Sequence, residues 1–154
     1  MTISTLPRRA LGKISDVAIV GAIAALGAVA AMAGADANRV EITVASIPAL
    51  LAMKGHALVG RLKRKDAYDI YYCVRNYPGG PEALAEDCRP LLERSSAAKG
   101  YAKIASKFRD DEDYGPTCVR EFVEGTGNLD DRTPAQWQTD AFGQVRAFLD
   151  ALGL

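Results

Sequence analysis

Apolar residues recur with a helical period along most of the chain after residue 46. Between Ser46 and Gly60 they return every three or four positions, and Pro48 lies where a first helical turn tolerates proline. This pattern predicts a helix that begins after an N-capping serine and ends at a glycine. A second helix is predicted from about Lys65 to Asn76. Its apolar stripe consists of Ala67, Ile70, Tyr71 and Val74.

Further helical segments come next, separated by turns rich in proline and glycine. Pro78-Gly79-Gly80 is a stop signal, and the helix that opens at Pro81 is expected to kink or split at Pro90. The other predicted helices start at Ser95 or Ser96, run from Pro116 to Phe122, and begin at a capping box, Thr133–Gln136.

One segment departs from the helical period. Arg39–Val44 alternates apolar and polar residues, as in a short half-buried strand. The expected fold is therefore mainly α, a helical bundle with one short strand.

Residues 1–37 differ in composition from the rest of the chain. Val17–Ala35 contains no charge, and Arg8, Arg9 and Lys13 precede it, as in a signal peptide or a short membrane span. Its strongly apolar side chains supply only about −3 kcal/mol of insertion free energy, which is marginal. Three interpretations stay open: a membrane or export segment, a buried alanine-rich helix, or a segment foreign to the helical domain behind it. We divide the chain into an Ala/Gly-rich hydrophobic segment, 1–37, and a helical domain, 38–154.

The overall composition excludes several classes of site. The 154 residues carry 19 basic and 19 acidic side chains, so any attraction for nucleic acid must be local. Cys73, Cys88 and Cys118 form no C-x-x-C pair, which argues against a disulfide framework or a zinc site and favours reduced thiols in the cytoplasm. A single histidine, His56, leaves no material for a multi-histidine metal site or a Ser-His-Asp triad.

The densest charge pattern lies at the junction of the first two predicted helices. Arg61–Lys65 places four cations in five positions, Asp66 and Asp69 come directly after, and Lys54 lies two helical turns before Arg61. One interpretation is a solvated surface on which the aspartates cap the second helix and form weak ion pairs. The other is an anion pocket for a triphosphate or a nucleic-acid backbone, with a carboxylate beside it to accept a proton. The charge spacing does not select between them.

A longer motif does favour one of them. Lys54, Ala57, Arg61, Lys63, Lys65, Asp66 and Asp69 match the pattern K-x-x-A-x-x-x-R-x-K-x-K-D-x-x-D within the run IPALLAMKGHALVGRLKRKDAYDIYYCVRNYPGG. This run resembles the C-terminal half of the AbiEii-type nucleotidyltransferases, which are toxins of toxin–antitoxin and abortive-infection systems. The resemblance extends from about Arg39 to the end of the chain, so the helical domain, 38–154, resembles the C-terminal lobe of a nucleotidyltransferase.

The resemblance implies a two-part enzyme. Its N-terminal part would be a polymerase-β-like lobe that holds Mg²⁺ with an Asp-x-Asp pair after a Gly-Ser turn. Its C-terminal helical lobe would close over a nucleoside triphosphate and an RNA acceptor, which is tRNA for some members, and a cognate antitoxin is expected. By analogy, Lys54 and Asp66 are the expected catalytic residues, with Lys54 on the phosphates and Asp66 as base or positioning carboxylate. Arg61, Lys63, Lys65 and Asp69 would bind substrate.

The chain departs from this family pattern at its start. No Gly-Ser turn with an Asp-x-Asp pair after it precedes residue 38, and Asp16 and Asp36 are isolated. Two-metal phosphoryl transfer needs paired carboxylates, so we predict no metal ligands in this chain and a truncated member that is weak or inactive alone. The alternative is a non-catalytic helical module that binds RNA or a protein partner, with residues 17–35 as a candidate membrane anchor.

Two smaller features are weighed against ordinary structural roles. His56 is two residues from Lys54, yet a half-exposed position on a helix face is the simpler expectation. Tyr68, Tyr71, Tyr72 and Tyr77 are suited to stacking on RNA bases, but their spacing favours core and interface positions. Trp137 is expected to anchor the last helix in the core.

Overall fold

The computed structural model describes residues 44–61, 63–127 and 129–154. The chain divides into two units, Met1–Ser46 and Ile47–Leu154, and the description below concerns the second. Within the described residues this unit contains six α-helices and one short 3₁₀ segment, Arg89–Leu91. The helices are α1 (Ile47–Gly60), α2 (Arg64–Arg75), α3 (Gly80–Cys88), α4 (Ser95–Ala105), α5 (Tyr114–Thr126) and α6 (Pro134–Leu152).

The mainly α fold is confirmed. The predicted strand lies outside the described residues except for Val44, which is in neither a helix nor a strand. Residues 1–37 and the hydrophobic run Val17–Ala35 also lie outside them, so the predicted domain boundary and the interpretations of that run stay predictions. Among the described helices, none combines the length and apolar character that a membrane span requires.

Local signals fix most helix ends. α1 and α2 begin and end within one residue of the predicted positions, and the helix after Pro78 gives way to the 3₁₀ segment around Pro90. The capping box before α6 is present: Thr133 Oγ1 accepts a hydrogen bond from Gln136 N at 3.2 Å, and Gln136 Oε1 accepts one from Thr133 N at 2.8 Å. These contacts satisfy amides that have no partner inside the helix.

The predicted bounds of the fifth helix are wrong. α5 begins at Tyr114 rather than Pro116 and ends at Thr126 rather than Phe122. The reason is that the Asp113 carboxylate accepts a hydrogen bond from Tyr114 N at 2.8 Å and so caps the helix earlier. Pro116 then falls in the first turn, where a missing amide hydrogen costs nothing.

The helices enclose one apolar core. α1 packs chiefly on α4, α5 and α3 pack on α6, and α2 packs on α1, α5 and α6. The expected inward positions of α2 and α6, including Trp137, are buried. The largest side chains that are fully buried are Tyr71, Tyr101, Phe108, Phe148, Leu51, Leu58, Ile70, Leu84, Ile104, Leu149, Val74 and Val119.

Two glycines let α1 and α4 approach backbone to backbone. A Cβ atom on Gly55 would lie 2.0 Å from the Gly100 carbonyl oxygen, and one on Gly100 would lie 2.3 Å from the Ala52 carbonyl oxygen. No larger residue fits at either position without moving a helix. This contact fixes the axis of α1, and with it the position from which Lys54 reaches α2.

Candidate functional site

Asp66 is the centre of an ion-pair cluster where α1 meets α2. The Arg61 guanidinium donates from Nε to Asp66 Oδ2 and from Nη2 to Asp66 Oδ1, both at 2.7 Å. Lys54 Nζ donates to Asp66 Oδ1 at 2.8 Å. Asp66 is only 1% exposed and is the one buried charged side chain among the described residues. It is therefore not a solvated capping residue, and Lys63, the N-cap of α2, makes no side-chain capping bond.

Asp69 extends the cluster toward solvent. Lys54 Nζ donates to Asp69 Oδ2 at 2.5 Å, and Lys65 Nζ donates to Asp69 Oδ1 at 2.6 Å. Lys54 thus lies between two carboxylates that are three residues apart on one side of α2. We call Lys54, Arg61, Lys65, Asp66 and Asp69 the junction cluster. It contains three cations and two carboxylates, a net charge of +1.

The electrostatics of the cluster favour the charged forms of Lys54, Arg61 and Asp66. Hydrogen bonds from the Arg61 guanidinium outweigh burial and, with help from Lys54, lower the pKa of Asp66 to about 2. Partial burial opposes the charged form of Lys54, but hydrogen bonds and attraction from Asp66 and Asp69 prevail and raise the pKa of this lysine. Asp66 and Lys54 therefore form a charged pair at neutral pH.

The outer cations retain hydrogen-bond donors. A guanidinium has five N–H groups and an ammonium has three. Arg61 uses two of its five on Asp66, and Lys65 uses one of its three on Asp69. The side chains of Arg61 and Lys65 are 53% and 64% exposed, whereas that of Lys54 is 19% exposed. Arg61 and Lys65 thus present uncommitted hydrogen-bond donors to solvent, while the charge of Asp66 is buried beneath them.

The remaining cations of the block lie outside this cluster. Lys63 is exposed. Arg64 Nε pairs with Glu121 Oε2 of α5 at 2.7 Å, with its side chain 61% exposed. The structure therefore brings together five of the six predicted site residues, and Lys63 lies exposed at their edge. The roles assigned to all six stay predictions.

His56 does not join the cluster. It is half-buried on the opposite side of α1, where Nε2 lies 2.8 Å from the Ser96 carbonyl oxygen and Nδ1 lies 3.0 Å from Lys103 Nζ. Since a carbonyl only accepts, Nε2 carries the hydrogen and Nδ1 accepts from the lysine. This position agrees with the expectation of an ordinary half-exposed residue.

The cysteines offer no nucleophile. All three are free, as their number and spacing predict. Burial raises the pKa of Cys73, beside the cluster, and of Cys88 to about 11, and it also raises the pKa of Cys118. These thiols stay protonated at neutral pH and are poor nucleophiles.

A second polar cluster, which the sequence pattern did not predict, lies at the other end of α2. Asp140 of α6 accepts hydrogen bonds from the Tyr71 hydroxyl at 2.5 Å, from Arg132 Nη1 at 3.1 Å, and from Arg75. The Arg132 guanidinium also lies 4.8 Å from the centre of the Trp137 ring. We call Tyr71, Arg75, Arg132 and Asp140 the distal cluster. Only the spacing of Tyr71 and Arg75, one helical turn apart, signals any part of it in the sequence.

The described residues do not fit a magnesium ion. No group of three or more histidine, cysteine, aspartate or glutamate side chains is placed to hold a metal within the described part of the chain. In the junction cluster, each of the four carboxylate oxygens already accepts a hydrogen bond from a lysine or an arginine. Mg²⁺ needs carboxylate oxygens that are free to coordinate it.

Comparison with known proteins identifies the family. A family model described as "Nucleotidyl transferase AbiEii toxin, Type IV TA system" matches residues 20–150, which is most of the chain and includes both clusters. Searches among curated proteins and among solved structures gave no match. The matched range begins within the Ala/Gly-rich segment, earlier than the resemblance that starts near Arg39. The chain belongs to the AbiEii nucleotidyl transferase toxin family of type IV toxin–antitoxin systems.

Proposed function

We propose that the junction cluster binds the phosphates of a nucleoside triphosphate and of an RNA acceptor, as part of a toxin nucleotidyltransferase. The observation that carries this proposal is the set of uncommitted donors on Arg61 and Lys65. Asp66 holds Arg61, Asp69 holds Lys65, and Lys54 bridges the two carboxylates. Arginine and lysine donors, with Arg61 directly after α1 and Lys65 in the first turn of α2, suit a phosphate group, whose oxygens only accept. A cognate antitoxin and a cytoplasmic location are the corresponding expectations for the whole protein.

Asp66 is better suited to positioning than to proton transfer. A general base works best with a pKa near the working pH, whereas Asp66 has a pKa of about 2 and both of its oxygens accept from cations. Its role in this proposal is to hold Arg61 and Lys54 in place. Lys54 retains one uncommitted N–H group for a phosphate, and Asp69 orients Lys65 in the same way.

The proposal expects little nucleotidyl transfer by this chain alone. Family members depend on Mg²⁺, yet the junction cluster does not fit the ion and the sequence shows no Gly-Ser turn with an Asp-x-Asp pair before residue 38. That the chain is a truncated member stays a prediction. Incubation of the full chain with labelled nucleoside triphosphate, Mg²⁺ and tRNA tests the expectation, and efficient label transfer would contradict it.

A binding experiment tests the phosphate site itself. Arg61→Ala and Lys65→Ala should each weaken binding of a fluorescent nucleoside triphosphate about tenfold or more, because each removes charged hydrogen bonds. The matched control is Arg109→Ala, which removes an exposed arginine that also pairs with an aspartate, Asp113, elsewhere on the surface. Equal binding by wild type, control and both cluster variants would refute the phosphate site.

A second candidate function is a non-catalytic RNA-binding module. The observation in its favour is that Lys63 and Arg64 lie exposed beside a cluster whose carboxylates are fully engaged. If this candidate is right, RNA binding is sensitive to salt, is weakened by Lys63→Ala or Arg64→Ala, and is unchanged by Asp66→Ala. The transferase proposal expects Asp66→Ala to weaken binding more than Lys63→Ala or Arg64→Ala does. Loss of the Asp66 carboxylate removes the two hydrogen bonds that orient the Arg61 guanidinium.

A further inference from the structure

Two of the six tyrosines differ from the other four in what their hydroxyl groups do. The hydroxyls of Tyr71, Tyr77 and Tyr101 donate to Asp140, to Asp87 and to the Pro48 carbonyl, and that of Tyr114 bonds to Cys118. Those of Tyr68 and Tyr72 have no hydrogen-bond partner among the described residues. Both side chains are half-buried on α2.

Their rings form a small aromatic surface. The Tyr68 ring centre lies 6.0 Å from that of Tyr72 and 4.8 Å from that of Phe122, with planes tilted by 34° and 36°. Tyr68 and Phe122 pack against the apolar core, which holds this surface in place from below, whereas Tyr72 is outside the core contacts. Contact with the core therefore explains the position of Tyr68, whereas Tyr72 contacts Tyr68 and not the core.

The aromatic surface lies between cations. Lys65, Tyr68, Asp69 and Tyr72 occupy positions i, i+3, i+4 and i+7 and so share one side of α2. Arg75 comes one turn later, and its charge, like that of Asp69, acts on the Tyr68 hydroxyl. At 1.5 Å per residue, the stripe from Lys65 to Arg75 is about 15 Å long, which spans several stacked nucleotides at about 3.4 Å each.

We propose that Tyr68 and Tyr72 form a stacking site for a nucleobase whose phosphate, or whose neighbour's phosphate, lies on the junction cluster. An aromatic surface beside cations is how proteins hold single-stranded nucleic acid without reading its sequence, since every base has a π face. The nucleobase belongs either to the nucleoside triphosphate or to the RNA acceptor. This inference rests on the proposed phosphate site and adds the base to it.

Substitution of Tyr72 tests the site, because Tyr72 contributes little to the core. The full chain is titrated against three fluorescent probes: a single-stranded RNA, the same strand with abasic residues, and a nucleoside triphosphate. Tyr72→Ala should weaken binding of the intact strand, of the triphosphate or of both by about 5-fold to about 150-fold. Tyr72→Phe keeps the ring and should bind as wild type does. The wild-type protein should itself prefer the intact strand to the abasic strand.

The probes separate the possible outcomes. A loss for RNA alone assigns the base to the acceptor, and a loss for the triphosphate alone assigns it to the nucleotide. Unchanged binding of both by Tyr72→Ala, with no wild-type preference for the intact strand, overturns the inference. If Arg61→Ala still weakens binding in that case, the phosphate site stands without the base site. If Tyr72→Ala weakens binding and Arg61→Ala does not, the phosphate site fails instead.

Discussion

Asp66→Asn should destabilise the protein in a way that depends on pH. The substitution keeps the size of a side chain that is 2% exposed but removes the charge that holds Arg61 and Lys54. It also turns an amide N–H toward cationic donors that need an acceptor. We therefore expect a loss of free energy of unfolding at neutral pH that the shape of the side chain does not explain.

The magnitude is set by the pKa of Asp66 in the folded protein. A fall from 3.8 to about 2 corresponds, at about 1.36 kcal/mol per unit, to about 2 kcal/mol of stabilisation by the ionised form. Because the pKa is lowered by folding, this stabilisation is complete above the unfolded value near 3.8. It is lost as the pH falls through about 2. The variant lacks it at every pH, so the difference between the two proteins should shrink in acid.

Urea unfolding at a series of pH values from about 7 to about 2 measures this difference. Helix content by circular dichroism and the fluorescence of Trp137, the single tryptophan, report the transition. Asp150→Asn is the control, since Asp150 also pairs with an arginine, Arg146, but its side chain is 60% exposed. Its effect should be much smaller than that of Asp66→Asn. A loss for Asp66→Asn that stays constant from neutral pH to acid would refute the reasoning.

Two further predictions concern the scaffold. Gly100→Ala should destabilise the protein by about 3 kcal/mol in urea unfolding, because its Cβ would lie 2.3 Å from the Ala52 carbonyl oxygen. Gly143→Ala, in α6 with no atom within 4 Å of the new Cβ, should instead stabilise by about 0.5–1 kcal/mol. A Gly100→Ala variant as stable as Gly143→Ala would contradict the close contact. Thr133→Ala should cost about 1 kcal/mol by loss of its hydrogen bond to Gln136 N, and an unchanged unfolding midpoint would show that this cap is not used.

Helix ends were predictable where one residue type carries the signal. Pro48 lies in the first turn of α1, Gly60 is its last residue, and the capping box of Thr133 and Gln136 begins α6. The start of α5 was not predictable in the same way because Asp113 is one of several acidic residues in a row, and only the folded loop shows which of them accepts from the helix amide. A capping signal is informative when it stands alone and ambiguous inside a run of like residues.

The sequence predicted which residues form the candidate site but not which hydrogen bonds join them. The motif placed Lys54, Arg61 and Asp66 together, yet spacing does not reveal that Asp66 is buried and accepts from both cations. The distal cluster was missed because Arg75 and Asp140 are separated by 65 residues and meet only when α2 packs on α6. Contacts of that kind depend on tertiary packing, which a local pattern does not encode.

The most direct test of the phosphate site is a titration of the isotope-labelled full chain with a nucleoside triphosphate, monitored residue by residue in amide NMR spectra. The nucleoside without phosphates serves as the matched ligand. The account predicts that the triphosphate shifts the signals of residues at the α1–α2 junction, around Lys54, Arg61 and Lys65, and that the nucleoside leaves them in place. Shifts that leave the junction unchanged, or that the nucleoside reproduces there, would contradict it.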